Sequence, residues 1–327
     1  MSWFSRFNLS GSLGTAGLRR TRVTGLLAAL LSLGPMAPAA DPKVATNATP
    51  STSGGQATNA LSASMEFVRR GNQAFRDGNR PEALALFSQA IDANPTNLMA
   101  LYNRGRINDT EGNYTNALAD YNHLLELNPK NLGATQLRGA LHLRLGQFPE
   151  AIADYDRYIE ALPKTAQRHW QRGIACYLSG RYEAAGRQFA QCHTTDTNDV
   201  EHVVWHFLSM AKTNSIEKAR SNMLPAGRDR RPVMNEIYDI YAGKLRPDDL
   251  LKKRETPVEG QPQAQDDRFR AHYYMGQYFD VIGDPKRSLE LLNKASQMKS
   301  MDSLMQDLAR LQANLSQAKV KEKPSGR

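Results

Sequence analysis

The chain has 327 residues, of which 40% are hydrophobic, and it carries a formal net charge of +9. This hydrophobic content supports a packed core, and no apolar run approaches the roughly 20 residues of an ordinary membrane-spanning helix. Four arginines in residues 1–40 supply part of the charge and no compact Lys/Arg stripe follows, which argues against nucleic acid as a partner. Two cysteines are too few for a disulfide scaffold.

Residues 1–40 have the parts of a secretory signal peptide. The positive segment Arg19–Arg22 precedes the apolar stretch 23–34, and small residues lead to a cleavage site after Ala39 or Ala40. This order predicts a periplasmic or secreted protein. The alternatives are an organelle transit peptide and an uncleaved signal. Only the uncleaved signal would attach the protein to a membrane.

Two further segments are predicted to lack a fixed fold. Residues 41–63 are rich in Ser, Thr, Asn, Gly and Ala, which predicts a disordered linker after the signal peptide. Residues 303–327 are predicted as a terminal helix followed by a disordered tail from Ala318 onward.

Residues 64–199 repeat with a period of 34 residues. A glycine marks each block, with an alanine 12 residues later and an aromatic residue 16 residues later. These are Gly71, Gly105, Gly139 and Gly173; Ala83, Ala117, Ala151 and Ala185; and Phe87, Tyr121, Tyr155 and Phe189. The first three blocks also have a proline 24 residues after the glycine, where it ends a helix. The period predicts four stacked helix hairpins, in which small residues let the two backbones approach closely.

This pattern resembles the tetratricopeptide-repeat (TPR) family, whose glycine, alanine, aromatic residue and proline take the same places. The resemblance implies an all-α solenoid of antiparallel helix hairpins. Residues 200–268 fall outside the repeat and are predicted as helices and a loop, 255–267. Residues 269–302 are predicted to form a C-terminal TPR unit with Gly276 in the repeat-glycine place.

The second half is also similar to a narrower group, the NlpI-type periplasmic TPR proteins of bacterial envelopes. The segments that carry this likeness are His169–Phe189, Asp196–Thr213, Glu236–Leu251 and His272–Asp284. The resemblance implies an adaptor that brings cell-wall hydrolases and a periplasmic protease together. Members of that group are outer-membrane lipoproteins, whereas no lipid-attachment cysteine follows the apolar stretch here.

The first helix of a TPR unit lines a concave groove in which a peptide usually lies. By register, the groove candidates are Asn72, Phe75, Tyr102, Asn103, Arg106, Gln136, Trp170, Tyr177 and Tyr273. Amide and guanidinium groups can hold a peptide backbone, and aromatic rings can anchor side chains. The alternative is that the aromatic residues pack between helices. A clamp for a peptide C-terminus is disfavoured because Val68 takes the place of its usual lysine.

No catalytic residue, cofactor or metal is expected. His202 and His206 have a spacing that can hold a metal, with His193 nearby, but no Glu follows the first histidine as in HExxH. Buried structural histidines are the simpler interpretation. Cys176 and Cys192 take facing packing positions and are expected to be free thiols, with a disulfide as the alternative.

The sequence therefore predicts an exported scaffold that binds proteins or peptides and is not an enzyme. Its partners are expected to include an envelope protease or cell-wall hydrolase. The alternatives are a structural homodimer that associates through residues 200–254 without a client, and a metal-dependent hydrolase at the histidine pair.

Overall fold

The structure, a computed structural model, describes residues 53–255 and 260–322, so the predicted signal peptide lies outside it. Within these ranges all regular structure is helical. The α-helices are α1 (Ser53–Arg76), α2 (Arg80–Ala93), α3 (Leu98–Thr110), α4 (Tyr114–Leu127), α5 (Leu132–Arg144), α6 (Phe148–Ala161), α7 (Trp170–Leu178), α8 (Tyr182–His193), α9 (Val200–Thr213), α10 (Ile216–Ser221), α11 (Pro232–Tyr241), α12 (Pro247–Lys253), α13 (Pro262–Val281), α14 (Pro285–Gln297) and α15 (Ser303–Glu322). None of the described helices combines the length and apolar character needed to cross a membrane.

The helices α1 to α8 pair into four hairpins, units 1 to 4, and α13 with α14 forms unit 5. Each repeat glycine lies in the first helix of its unit, so the predicted all-α solenoid is confirmed. A glycine with positive φ makes the corner of every hairpin, as at Gly78 (81°) and Gly283 (86°). That left-handed conformation disfavours any residue with a Cβ.

Close approach at the repeat glycines holds each hairpin together. A Cβ added at Gly105 would lie 2.9 Å from the Tyr121 ring, and one added at Gly173 would lie 2.8 Å from the Phe189 ring. The ring of the second helix therefore rests directly on the backbone of the first helix of its own unit. Such a contact tolerates no added methyl group without a shift of the ring.

Partly buried ion pairs add a second link inside units 2 and 3. Arg104 donates to Asp120 and Arg138 donates to Asp154, each with a shortest distance of 2.7 Å. The two aspartates are 3% and 4% exposed, so each carboxylate depends on its arginine to offset the cost of burial. These pairs were not predicted from the sequence, although both members recur after 34 residues.

The segment outside the repeat continues the stack from unit 4. Trp205 of α9 stacks on Phe189 with ring centroids 5.8 Å apart and meets Tyr177 edge-on at 5.2 Å. Phe207 and Tyr241 are fully buried and bring α9 against α11. The predicted helices in residues 200–254 thus form part of the core rather than a separate surface layer.

A buried ionic network fixes this segment to unit 5. Glu201 of α9 is fully buried and accepts hydrogen bonds from Arg231 at 2.7 Å, from Tyr274 at 2.7 Å, and from Arg270. Arg270 also donates to Asp266 one turn earlier in α13. The arginines satisfy a carboxylate that would otherwise be costly to bury.

Three predicted boundaries are wrong. Residues 53–63, predicted as linker, are the start of α1, and α13 begins at Pro262 inside the predicted loop. At the other end, α15 continues to Glu322, past the predicted start of the tail. At α13 and α15, good helix formers extend a helix that packing has nucleated elsewhere, and proline suits the first turn of α13. The linker prediction for residues 41–52 lies outside the described residues.

The two thiols and the three histidines of the sequence analysis lie inside the fold. Cys176 and Cys192 are free and buried, and burial raises the pKa of Cys192 to about 11. Burial lowers the pKa of His193 and of His206, and in each case a neighbouring histidine adds to the effect. Among the described residues, no group of three or more His, Cys, Asp or Glu side chains is placed to hold a metal ion.

The close approach at the repeat glycine predicts the outcome of a matched pair of substitutions. Gly105→Ala should lower the free energy of unfolding by about 1–3 kcal/mol, because its Cβ presses on the Tyr121 ring. Gly133→Ala is the control, since Gly133 is exposed and its nearest neighbour is an Asn131 oxygen at 3.4 Å. The control should keep or raise stability by up to about 1 kcal/mol. Urea unfolding followed by circular dichroism measures both, and equal effects would contradict the packing argument.

The buried His193 and the half-buried His206 predict a loss of stability in mild acid. Their pKa values are lower in the folded chain than in the unfolded chain, so the unfolded chain takes up protons first as the pH falls below about 6.5. The free energy of unfolding should therefore decrease from pH 7.5 to pH 5.5, and His206→Leu should reduce that decrease. Urea unfolding at both pH values separates this effect from the packing change of the substitution, and an unchanged decrease would show that His206 does not contribute.

Candidate functional site

The first helices of successive units lie side by side and present equivalent positions on one side, here called the first-helix face. A direct hydrogen bond links the first two of them: Asn103 of α3 donates from Nδ2 to Oδ1 of Asn72 of α1 at 3.0 Å. Both side chains are half-buried. The pairing places two predicted groove residues from neighbouring units in contact.

A depression surrounds this amide pair and is here called the open site. Its rim is formed by Phe75, Arg76 and Arg106, and its floor by Phe87 and Ile107. Phe75 is 41% exposed, whereas the two floor residues are each 1% exposed. The open site thus combines an apolar floor with polar groups directed at the same space, which is typical of a ligand pocket.

The two arginines of the open site have no carboxylate within ion-pair distance among the described residues. Arg76 donates to Gln73 at 2.5 Å, and Arg106 lies over the ring of Tyr102 with 5.9 Å from its guanidinium carbon to the centroid. By contrast, Arg104 on the same helix is neutralised by Asp120. The positive charge at the open site is therefore available to an anionic group of a ligand.

The open site unites four of the nine predicted groove residues: Asn72, Phe75, Asn103 and Arg106. Tyr102 borders them beneath Arg106, and Gln136 is half-buried on α5. Sequence analysis missed Arg76, which follows Phe75 directly in α1.

Three predicted groove residues belong to the core instead. Trp170 and Tyr177 are each 6% exposed, and Tyr273 is fully buried. The Tyr273 ring packs between those of Phe269 and Tyr274, with centroids 5.8 and 5.1 Å away. These rings stabilise the stack, as the alternative interpretation of the aromatic residues proposed, and they offer little surface to a ligand.

The chain's own last helix lies along the corner ends of units 2 to 4. Asp307 of α15 accepts a hydrogen bond from the Tyr114 hydroxyl at 2.6 Å and forms an ion pair with Arg144. Leu311 lies against Gly146, at the corner between α5 and α6. Leu315 borders a cavity that Tyr177 also lines, so α15 extends from unit 3 towards unit 4.

Comparison with known proteins agrees with this architecture. The sequence model of the tetratricopeptide-repeat family matches residues 68–131 and 137–192. A solved tetratricopeptide repeat protein from Parabacteroides merdae ATCC 43184 is 18% identical, with a TM-score of 0.51 over 76% of this chain and 98% of that chain. At this identity the similarity concerns the fold alone.

Two other solved structures are similar over about half of this chain. MamA from Desulfovibrio magneticus RS-1 is 18% identical, with a TM-score of 0.44 over 49% of this chain and 90% of that chain. YrrB, described as a TPR protein with an unusual peptide-binding site, is 19% identical, with a TM-score of 0.45 over 50% of this chain and 86% of that chain. The matched repeats and the glycine contacts show that residues 68–192 of this chain are built of tetratricopeptide repeats.

Proposed function

We propose that this TPR protein is a scaffold that binds partner proteins at its first-helix face, and that its open site takes an extended peptide segment carrying a carboxylate. The TPR fold itself suggests a protein-interaction scaffold. No catalytic role is proposed for any residue.

The unused hydrogen-bonding capacity of the amide pair carries this proposal. In the bond between Asn72 and Asn103, the Asn72 Nδ2 donor and the Asn103 Oδ1 acceptor have no further partner among the described residues. A donor and an acceptor from two adjacent helices match the alternating N–H and C=O groups of an extended peptide. Phe75, exposed beside them, can pack against an apolar side chain of the peptide.

Charge determines which peptide fits best. Arg76 and Arg106 place at the rim two guanidinium groups that form no ion pair with a carboxylate among the described residues, and guanidinium groups bind carboxylates through paired hydrogen bonds. The carboxylate can be an acidic side chain or a peptide C-terminus. Val68, which takes the place of a clamp lysine, is buried and does not contribute.

Export of the chain is part of the proposal. The signal-like residues 1–40 support a periplasmic or secreted scaffold, and the likeness to NlpI-type proteins supports an envelope protease or cell-wall hydrolase as partner. A homodimer through residues 200–254 without a client is less favoured. The large apolar side chains Phe207, Met234 and Ile237 of that segment are fully buried within the chain itself.

Export predicts a defined mature N-terminus. Full-length chain expressed in a bacterial cell should be recovered from the periplasm with Ala40 or Asp41 as its first residue, because small residues precede both positions. Cell fractionation followed by mass spectrometry of the intact protein measures this. Recovery of the chain with residues 1–40 still attached would contradict cleavage.

Partner binding predicts a graded response to substitutions in the open site. The protein captured most strongly by the immobilised chain from an envelope extract is identified and then titrated against each variant. Arg106→Glu should weaken binding about 10-fold or more, and Asn103→Ala somewhat less, because each removes a hydrogen-bonding group at the site. Arg157→Glu is the matched control, since Arg157 is exposed on α6, a second helix.

The outcome for the control decides the interpretation. Equal weakening by Arg106→Glu and Arg157→Glu would indicate a non-specific charge effect and contradict the open site. Capture of no protein by the wild-type chain would contradict the scaffold function as a whole.

A further inference from the structure

The last helix is held along the corner ends of units 2 to 4 by side chains at regular spacing. Four residues of α15, spaced four positions apart, face the earlier units and are here called the groove row. They are Ser303, Asp307, Leu311 and Leu315. Three of them contact residues of units 2 and 3, and the fourth borders a cavity that unit 4 also lines. Side chains four positions apart in a helix lie on one side of it. The groove row is therefore one face of α15, laid against these corner ends.

A second set of α15 side chains, separate from the groove row, packs against α14. Leu304, Met305 and Leu308 are buried and belong to the core cluster that includes Leu291 and Leu292 of α14. This packing caps the end of the stack, as the last helix of a repeat array must do to cover its apolar surface. The contacts of the groove row reach further along the array than this cap does.

A polar socket receives the groove row at unit 3. Arg144 pairs with Asp307, donates to Ser303 at 3.1 Å, and lies over the Tyr114 ring at 5.3 Å. Burial raises the pKa of Tyr114 to about 12, so the phenol stays protonated and donates a hydrogen bond to Asp307. Arg144 and Asp307 retain only 15% and 13% side-chain exposure, which makes their pairing specific as well as attractive.

An apolar socket follows one helical turn later. Leu311 Cδ1 lies 3.1 Å from the position that a Cβ on Gly146 would occupy, so the corner glycine leaves room for a leucine. Leu315, four residues further, is 37% exposed and borders the cavity lined by Tyr177 and Lys212. The sockets thus accept an acidic residue, then a leucine four residues later, then a second leucine.

One carboxylate connects the open site and the socket. Asp109, near the end of α3, interacts electrostatically with Arg106 of the open site and with Arg144 of the socket. This carboxylate therefore couples the two sites electrostatically.

From these contacts we propose that the sockets around Tyr114, Arg144 and Gly146 are a helix-binding site that the groove row fills in cis. In trans, the site takes an amphipathic helix of a partner protein with an acidic residue followed by leucines at the fourth and eighth positions. This inference rests on the proposed function of the first-helix face. Terminal helices open locally at lower free energy than core helices do, which allows the exchange. The acidic residue of the partner complements the buried Arg144, which would otherwise be left unpaired.

A synthetic peptide of residues 303–322, carrying a fluorophore, tests the site on full-length chains. The double variant Asp307→Ala with Leu311→Ala weakens the groove row but leaves the sockets intact, and it should bind the peptide at least about 10-fold more tightly than the wild-type chain does. Adding Arg144→Glu to this variant should abolish that binding. A peptide with Asp307→Ala should bind weakly, whereas one with Arg310→Ala should bind normally, because Arg310 is 58% exposed.

If the double variant does not fold, amide hydrogen exchange of the wild-type chain and of Arg144→Glu tests the same contacts. In the wild-type chain, amides at the C-terminal end of α15 should exchange faster than those of α14, and Arg144→Glu should accelerate the exchange in α15 alone. The proposal would be overturned if the amides of α15 and α14 exchanged at equal rates, or if Arg144→Glu did not change the affinity for the peptide. Exchange of α15 between two copies of the chain, seen as a dimer by light scattering, would assign the site to a second copy and overturn the assignment to a partner.

The two proposals fail separately. If the peptide does not bind but Arg106→Glu still releases the captured partner, the helix-binding site is wrong and the open site stands. If Arg106→Glu has no effect on any captured protein, the proposed function itself fails.

Discussion

The absence of a side chain at one position of every unit is the constraint on which the whole architecture depends. In units 1 to 4, Gly105 and its equivalents let an aromatic ring of the second helix pack directly on the first helix, so each of these hairpins closes in the same way. Identical closure repeated every 34 residues aligns the first helices, and their alignment creates a shared face. The Asn72–Asn103 bond and the arginines beside it are consequences of that alignment, since they come from different units of the chain.

The part of the fold predictable from sequence was the part encoded locally. Period, corner glycines and helix-ending prolines all act within one unit, so the hairpins and four residues of the open site could be identified by register. The docking of α15 could not, because Asp307 meets Arg144 and Tyr114 across 163 and 193 residues of sequence. The buried network around Glu201 was missed for the same reason, and register alone could not distinguish a groove aromatic such as Phe75 from a core aromatic such as Tyr273.

The first-helix face is divided by chemistry as well as by occupancy. Around Asn72 and Asn103 it offers free hydrogen-bonding groups and unneutralised charge, which suit an extended peptide. Around Arg144 the same kind of charge is already neutralised by a helix of the chain, and the neighbouring contacts are apolar. Together, the two proposals describe a single scaffold that recognises an extended segment at one end and a helix at the other, with its own C-terminal helix controlling the second site.

The claim that this face is where partners bind can be tested most directly by photo-crosslinking in living cells. A photoreactive phenylalanine analogue replaces Phe75 in one strain and Arg157 in another, so that the same probe lies on the first-helix face or on a second helix. The account predicts that position 75 gives discrete crosslinked species that Arg106→Glu removes, and that position 157 gives none of them. The same species from both positions, or crosslinks from position 157 alone, would contradict it.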